Sequence, residues 1–281
     1  MCRRPVPAWK TGAWGNRSWR NFVDMLILLS PAKTLQPSHA PVPAYGELSN
    51  PHFGKVAEAI VNGLKRWSMK ETQQQLKLSD ALGATVHNWH QDWVRRGASV
   101  AGWTFRGDAF KSLDLPSLPP GALESAQRRL VILHGVYGVL RPLDRYSPVR
   151  LEMAQPWCHL PDHRTMAAFW KTLLPAEIQN LADARGEGCI LNLASAEYGK
   201  VALHGLPESA TVQCTFLERK KGTLKSVSAF AKAARGAMAR HVLVHDIHRP
   251  KDLESFTELG YAFDADMSSS NEKVFVRTLA P

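Results

Sequence analysis

Short apolar runs bounded by turn residues alternate along this chain with segments of helical periodicity. A continuous apolar run between turn signals predicts a strand that is buried on both faces. The predicted strands are 25–29, 101–105, 188–193, 212–217 with a return strand at 224–230, and two strands within 260–277 that flank a serine-rich loop.

Apolar residues spaced by three and four positions predict the helices. In 53–67 these residues include Val56, Ile60 and Leu64, which share one face of a helix. Ser79 is the expected N-cap of a later helix because its hydroxyl can accept from a free backbone N–H. The other predicted helices are 69–76, 80–93, 122–133, 166–184 with an interruption at Pro175, and 228–244.

Composition narrows the class of protein. The chain has 281 residues, of which 44% are hydrophobic and 21% charged, as in globular proteins with a sizeable core. No apolar run approaches the roughly 18 residues that a membrane span needs. The four cysteines are scattered without a C-x-x-C pair, which favours a reducing cytoplasm. A net charge of +10 favours polyanionic partners, chiefly nucleic acid or an acidic membrane surface.

The first 24 residues differ from the rest. They hold five basic residues, one acid and three tryptophans, but no apolar run suited to a secretory signal. We expect this segment to be an extension that results from an upstream start, with the working domain at 25–281. The alternative is a basic arm that touches nucleic acid.

The segment 130–153 carries the densest candidate chemistry. An apolar run leads into two glycines, Gly135 and Gly138, which allow a tight turn and close approach of a ligand. Arg141, Arg145 and Arg150 follow, and guanidinium groups are suited to phosphate or carboxylate. The alternative is a structural turn with solvated charges.

Three other segments carry cations next to turns or small residues. The loop after the first predicted strand contains Lys33, although no glycine frame of a Walker loop precedes it. Asp108 lies between Arg106 and Lys111 beside a glycine. The carboxylate could form an ordinary surface ion pair, or it could orient an arginine that binds a ligand. The third segment is an alanine-rich helix with Lys232, Arg235 and Arg240.

Polar side chains follow the strand predicted at 188–193. Asn192, Ser195, Glu197 and Tyr198 stand at its carboxyl end, where ligands bind in α/β proteins. Ser195 could equally cap the next helix. The loop 268–271, with three serines and Asn271, could present hydroxyls and amides to an oxyanion or form an ordinary turn.

Two groups of potential metal ligands have weak spacing. We expect no bound metal and no cofactor, because neither group matches a closed site and the helical histidines lack the glutamate of H-E-x-x-H. A basic helix end that complements the helix dipole explains those histidines better. The two groups are His241, His245 and His248, and Cys158, His159, Asp162 and His163.

Taken together, six stretches resemble the YaaA family of peroxide-stress proteins. They run in the family's order and cover nearly all of 25–277: LILLSPAKTL, FRGDAF, LHGVYGVLRPLDRYSPVRLEM, LNLASAEY, AKAARGAMAR and GYAFDADMSSSNEKVFVR. The resemblance implies a cytoplasmic bacterial protein that binds DNA and limits damage from peroxide and free intracellular iron. It also implies a single-domain mixed α/β (α+β) fold with a positively charged cleft and a helix-hairpin-helix-like element, for which Gly135–Gly138 is the candidate.

The leading hypothesis is a DNA-binding stress protein whose cations converge in one groove. Phosphate contacts would then dominate, with little sequence preference for duplex or single-stranded DNA. The candidate DNA-binding residues are Lys33, Arg106, Lys111, Arg141, Arg145, Arg150, Lys232, Arg235 and Arg240.

A rival hypothesis is an enzyme that acts on a nucleotide or nucleobase bound in the same cleft. It rests on polar groups beyond those that a phosphate-binding groove needs. A third hypothesis, direct iron sequestration by histidines and acids, has little support from ligand spacing. The candidate catalytic residues of the rival are Asp108, Tyr137, Glu152, Asn192, Ser195, Tyr198, Asp264 and Asn271.

Overall fold

The structure is a computed structural model that describes residues 24–36, 47–95, 97, 99–157, 163–184 and 189–279. The predicted extension lies outside these residues except for Asp24. Cys158, His159 and Asp162 of one potential ligand group also lie outside them.

The described strands and helices follow the predicted alternation closely. The strands are β1 (Leu26–Leu29), β2 (Ser99–Val100), β3 (Leu130–His134), β4 (Gly138–Leu140), β5 (Arg145–Tyr146), β6 (Ile190–Leu193), β7 (Thr211–Lys220), β8 (Thr223–Lys225), β9 (Ala262–Phe263) and β10 (Glu272–Thr278). The helices are α1 (Gly54–Leu64), α2 (Met69–Leu76), α3 (Asp80–Gln91), α4 (Ala101–Thr104), α5 (Asp108–Leu113), α6 (Pro120–Arg129), α7 (Met166–Trp170), α8 (Leu174–Asp183), α9 (Ala196–Ala202) and α10 (Ser228–Val244).

One mostly parallel sheet organises the fold. Its strand order is β4-β3-β1-β6-β7-β10-β9, and β3, β1, β6, β7 and β10 pair in parallel. The outer strands β4 and β9 pair antiparallel, and β8 forms a hairpin with β7. This architecture confirms the predicted single-domain mixed α/β fold.

Strand β1 is the most deeply buried strand of the sheet's centre. Leu26 to Leu29 have almost no exposed surface, and both edges of the strand are paired, to β3 and to β6. Parallel strands covered on both faces read as continuous apolar runs, which is why this run was recognisable in the sequence. Burial of four large aliphatic side chains stabilises the fold by about 1.5–3 kcal/mol each.

Helix α10 packs very closely on α5. A Cβ at Gly236 would lie 1.8 Å from the carbonyl oxygen of Ala109, so only glycine allows this approach. Arg240 then caps the end of α5, since its Nη1 donates to the carbonyls of Leu113 and Asp114 at 3.0 and 3.1 Å. These contacts hold the segment 105–113 against α10.

Three local predictions were wrong, and in the first two tertiary contacts overrode the local pattern. Residues 101–104 form a helical turn instead of a strand, and the N–H groups of Ala101 and Gly102 donate to the loop 142–144. Residues 130–133 form part of β3 instead of extending the preceding helix, because they pair with β1. The return strand predicted at 224–230 also ends early, at Lys225.

The candidate helix-hairpin-helix element is a β-hairpin. Gly135–Gly138 connects β3 to β4, which are antiparallel, so strands rather than helices flank the turn. Gly138 has a φ of +67°, in the left-handed region that favours glycine. The apolar residues before and after the glycines are therefore sheet core, and this segment does not form the implied element.

Tyr137, a candidate catalytic residue, lies in the core behind this hairpin. Its hydroxyl accepts from Trp93 Nε1 at 2.8 Å and donates to the carbonyl of Ser147 at 3.2 Å, and burial raises its pKa. Beside it, His134 Nδ1 accepts the backbone N–H of Val136 at 3.0 Å. Burial lowers the pKa of His134 to about 3, so this imidazole is neutral.

Substitution of Gly236 tests the helix contact. We expect Gly236→Ala to lower the free energy of unfolding by about 1–3 kcal/mol, since a methyl group meets backbone that cannot rotate away. Gly121→Ala is the matched control, because a Cβ at this helical position meets open space. Urea unfolding followed by circular dichroism measures both. Equal stability of the two variants would contradict the contact.

The buried His134 predicts a pH dependence of stability. Its pKa is about 6.5 when unfolded and about 3 when folded, so below pH 6.5 only the unfolded chain gains the proton. This lowers the free energy of unfolding by up to about 1.4 kcal/mol per pH unit as the pH falls from 6.5 towards 3. We expect His134→Asn, which keeps an acceptor, to flatten this slope, while the exposed His204→Ala leaves it unchanged. Urea unfolding between pH 4 and 7 measures the slopes; parallel slopes for all three proteins would contradict the assignment.

Candidate functional site

The connections of the sheet diverge at the C-terminal ends of β1 and β6. After β1 the chain returns to the sheet at β3, on one side of β1. After β6 it continues to β7, on the other side. Such a reversal leaves a crevice between the two loops, and ligands of α/β proteins bind at this point. We call the loops and side chains at this crevice the switch-point site.

Two serines connect the loops across the crevice. Ser30 follows β1, and its Oγ accepts the backbone N–H of Ser195 at 2.8 Å and donates to Ser195 Oγ at 3.2 Å. Nearby, Asn192 Oδ1 accepts the backbone N–H of Ala194 at 3.1 Å. Ser195 stands at the N-cap position of α9, but its side chain makes no capping bond. The Ser195 hydroxyl therefore bonds to Ser30 Oγ and not to the backbone of α9.

A carboxylate holds two cations from distant segments. Glu152 Oε1 lies 3.0 Å from Arg150 Nη2 and 3.4 Å from Lys33 Nζ. The side chains of Arg150 and Glu152 are 13% and 18% exposed, whereas that of Lys33 is 70% exposed. The pair with Lys33 therefore contributes little stability, and this ammonium remains available to an incoming anion.

The segment that carries Glu152 is anchored at both sides. A Cβ at Gly135 would lie 2.1 Å from the carbonyl oxygen of Leu151, so the β3–β4 turn and this segment are in close contact. On the other side, Glu197 Oε1 accepts the backbone N–H of Ala154 at 2.9 Å. The glycine turn thus serves to position Arg150 and Glu152 next to the crevice.

Tyr198 is a buried residue of α9 that is close enough to this carboxylate to be influenced by its charge. Burial raises the pKa of its phenol well above the usual range, and the nearby carboxylates of Glu197 and Glu152 raise it further. A backbone hydrogen bond with Met153 and the charge of Arg150 oppose the shift. The phenol is therefore protonated at neutral pH, and it can donate a hydrogen bond but cannot act as a base.

Arg106 is brought beside the site by backbone pairing, and Asp108 follows it as the exposed first residue of α5. The N–H of Arg106 donates to the carbonyl of Thr34 at 3.0 Å, and Leu35 forms a bridge with Phe105. Gly107 permits the contact, because a Cβ there would lie 2.8 Å from that of Ala32. The stretches SPAKTL and FRGDAF, about 70 residues apart, are therefore neighbours.

The basic helix contributes Lys232 and Arg235 next to these loops. Both lie in the first half of α10, whose Gly236 touches Ala109 of the FRGDAF stretch. Lys232 is exposed, and burial lowers the pKa of Arg235, which neighbours Cys214 on β7. Arg240, in contrast, is committed to capping α5.

Other candidate cations lie away from the switch-point site. Arg141 follows β4, and its charged neighbours are Asp144 and Glu177. Arg145 belongs to β5, where its backbone N–H donates to the carbonyl of Ser49 at 2.8 Å. Lys111 is exposed on α5. The structure therefore does not gather all nine predicted cations at this crevice.

Two candidate catalytic residues lie at the opposite, N-terminal edge of the sheet. Asn271 precedes β10, and its Nδ2 donates to the carbonyl of Glu208 just before β7 at 3.4 Å. Asp264 Oδ1 accepts the backbone N–H of Met267 at 3.1 Å within the serine-rich loop. The hydroxyls of Ser268 and Ser269 are likewise used within that loop, which behaves as a turn.

Sequence reasoning missed the role of Ser30, and it placed Glu197 at the carboxyl end of a strand without identifying its partner, Ala154. The only signal for Ser30 was its position directly after a buried strand, and a serine there is common in turns. Glu197 could be read as a charge in the first turn of a helix. Their partners are 165 and 43 residues away along the chain, so no local pattern reveals them.

Potential metal ligands occur away from the crevice. In the described part of the chain, one group of three could hold an ion: His241, His245 and Glu258. It is considered separately below. His248 does not join it, because its Nδ1 lies 2.6 Å from Asp24 Oδ1.

Comparison with known proteins decides the family. A family model described as peroxide stress protein YaaA matches residues 25–267. The chain belongs to the YaaA family. The resemblance inferred from the six sequence stretches is thereby confirmed, and YaaA membership supports a role in peroxide stress.

Several YaaA relatives align over their full length. A UPF0246 protein of Bordetella avium is 37% identical over 259 residues, which cover 91% of this chain and 100% of that protein. A UPF0246 protein of Albidiferax ferrireducens is 36% identical over 259 residues, 90% of this chain and 98% of that protein. A UPF0246 protein of Shewanella sp. is 34% identical over 257 residues, which cover 90% of this chain and 99% of that protein.

The helices were also compared with the requirements of a membrane span. Within the described ranges, every helix is too short or too polar to cross a bilayer.

Proposed function

We propose that this protein acts in the peroxide stress response by binding DNA through its phosphates at the switch-point site, and so limits damage from peroxide and free intracellular iron. The observation that carries the proposal is the convergence of Lys33 and Arg150 on Glu152 at the crevice. The cytoplasm is the expected compartment.

The geometry favours an anionic ligand. Glu152 occupies the place between two cations that a phosphate oxygen could take, since carboxylate and phosphate use the same guanidinium donors. Ser30 and Ser195 add hydroxyl groups, which commonly contact phosphates in protein–DNA complexes. Arg106 and Lys232 supply further positive charge beside the crevice, and the net charge of +10 favours association with a polyanion.

DNA affinity should depend on salt and on Lys33. We expect the affinity for a mixed-sequence duplex to fall steeply between about 50 and 200 mM salt. Lys33→Ala should weaken binding uniformly across sequences and reduce the salt slope by about 1, because one phosphate contact is lost. Fluorescence anisotropy with duplex and single-stranded DNA measures both effects.

The matched control is Lys251→Ala, which removes an exposed lysine of the 3-10 turn Pro250–Ser255. It also lowers the net charge by one but leaves the crevice intact. If both lysine variants lose DNA affinity equally, the DNA is attracted by the overall charge of the protein, and a localised site is contradicted. Failure of duplex and single-stranded DNA to bind at low salt would refute the proposal.

A second candidate function is catalysis on a nucleotide or nucleobase. The observation that favours it is the largely buried Glu152, which contacts two cations and acts electrostatically on the protonated phenol of Tyr198. This arrangement offers a carboxylate for proton transfer and a fixed hydrogen-bond donor, the elements of general acid–base catalysis.

Glu152→Gln separates the two functions. If DNA binding is the function, the variant should bind DNA at least as well as the parent protein, because a negative charge is removed, and should restore peroxide resistance to a deletion strain. If Glu152 transfers a proton, DNA affinity should persist while resistance is lost. Anisotropy and survival after a peroxide challenge, with matched expression levels, give the two readouts.

A further inference from the structure

We propose that the C-terminal end of α10 and the 3-10 turn Glu258–Gly260 form a binding site for one first-row divalent metal ion, ligated by His241, His245 and Glu258. This site lies away from the crevice and does not depend on the proposed function. The three residues can each offer one ligand atom, and these atoms lie within 4.8 Å of one another.

The helix places the two imidazoles side by side. His241 and His245 are four residues apart in the last turn of α10, so they share a face, and their ring centroids are 4.6 Å apart. Two histidines at this spacing are the arrangement by which a helix binds zinc in H-E-x-x-H proteins. The missing glutamate of that motif is not needed here, because the third ligand comes from outside the helix.

The hydrogen bonds of His241 leave one of its ring nitrogens available to bind a metal ion. The hydroxyl of Ser255 donates its only proton to the carbonyl of Asp252 at 2.7 Å. Its oxygen must therefore accept from His241 Nε2, which lies 3.0 Å away. In a neutral imidazole with its proton on Nε2, Nδ1 carries a lone pair, and it lies 2.7 Å from Glu258 Oε1.

Two acceptors at that distance need a cation between them. A shared proton satisfies the distance as it stands. A Zn²⁺ ion bound to both atoms at about 2.0–2.2 Å needs them roughly 3.0–3.5 Å apart, which a small rotation of the partly exposed Glu258 side chain allows. In metal sites, a ligating histidine donates the N–H of its other ring nitrogen to an outer partner, which fixes the tautomer and orients the ring. Ser255 is in the position of such a partner for His241. The hydrogen bond from His241 Nε2 to Ser255 Oγ thus directs Nδ1 towards Glu258.

The carboxylate is oriented in the same way. Its other oxygen, Oε2, accepts the backbone N–H of Thr257 at 3.2 Å, which leaves Oε1 facing His241. Leu259 and Gly260 follow with φ of +58° and +77°, so the chain turns sharply directly after Glu258. Both outer contacts therefore direct ligand atoms to one point.

The surroundings suit an ion that enters from solvent. His241 is 7% exposed and meets the buried ring of Phe256 edge-on at 5.5 Å, so one side of the site is apolar. Glu258 is 39% exposed and His245 is exposed, so the opposite side is open. Two imidazole nitrogens and one carboxylate oxygen form a ligand set used for Zn²⁺ and Fe²⁺, with open positions left for water.

Metal titration of the full-length protein tests the proposal. After treatment with a chelator, we expect one Zn²⁺ per chain by calorimetry and a visible Co²⁺ spectrum typical of nitrogen and oxygen ligands. His245→Ala and Glu258→Gln should weaken Zn²⁺ binding by more than about 100-fold. Ser255→Ala should weaken it about 10- to 100-fold, the usual effect of losing an outer-shell partner.

The controls separate a metal site from an ion pair. His204→Ala removes an exposed histidine elsewhere and should bind Zn²⁺ like the parent protein. Thermal unfolding without metal shows whether each variant is folded, and the exposed position of His245 makes its replacement the most conservative. Absence of saturable Zn²⁺ and Co²⁺ binding, or binding by His245→Ala equal to that of the parent, would overturn the proposal and leave the contact between His241 and Glu258 as a hydrogen bond within the fold.

Discussion

Parallel pairing of β1 on both of its edges is the constraint on which the other features depend. Leu26 to Leu29 are buried on both faces, and β3 and β6 satisfy the backbone groups on either side. The loops after β1 and β6 must therefore emerge next to each other. Since the chain then leaves in opposite directions, the crevice and the contact between Ser30 and Ser195 follow directly from this strand order.

Glycines then determine which segments can approach that crevice. Gly107 allows the FRGDAF stretch to contact the loop that carries Lys33, and Gly236 allows α10 to contact α5. Gly135 allows the turn after β3 to contact the backbone just before Glu152. Each glycine contacts backbone or a small side chain where a Cβ would clash. The separated stretches SPAKTL, FRGDAF and AKAARGAMAR are thus neighbours in the fold, and much of their composition serves packing rather than ligand contact.

The charged residues divide into those that serve the fold and those available to ligands. Arg129 has no exposed surface, and it donates to the carbonyls of Met25 and Ile247, so it holds β1 to the end of α10. Arg240 likewise caps a helix. Lys33, in contrast, is mostly exposed and has a weak partner. A high positive charge in the sequence therefore overstates the charge available to a polyanion.

The sequence by itself determined the buried strand β1, the long helices, and the α/β class, because continuous apolar runs and helical periodicity are local patterns that burial imposes directly. It also determined the family, through stretches whose order could be read without coordinates. Only the tertiary structure decided that 130–133 is strand, that Tyr137 is core, that Asp264 lies far from Glu152, and that Glu258 faces His241. These facts depend on pairing between residues distant along the chain, and local pattern carries no information about which distant backbone supplies the partner.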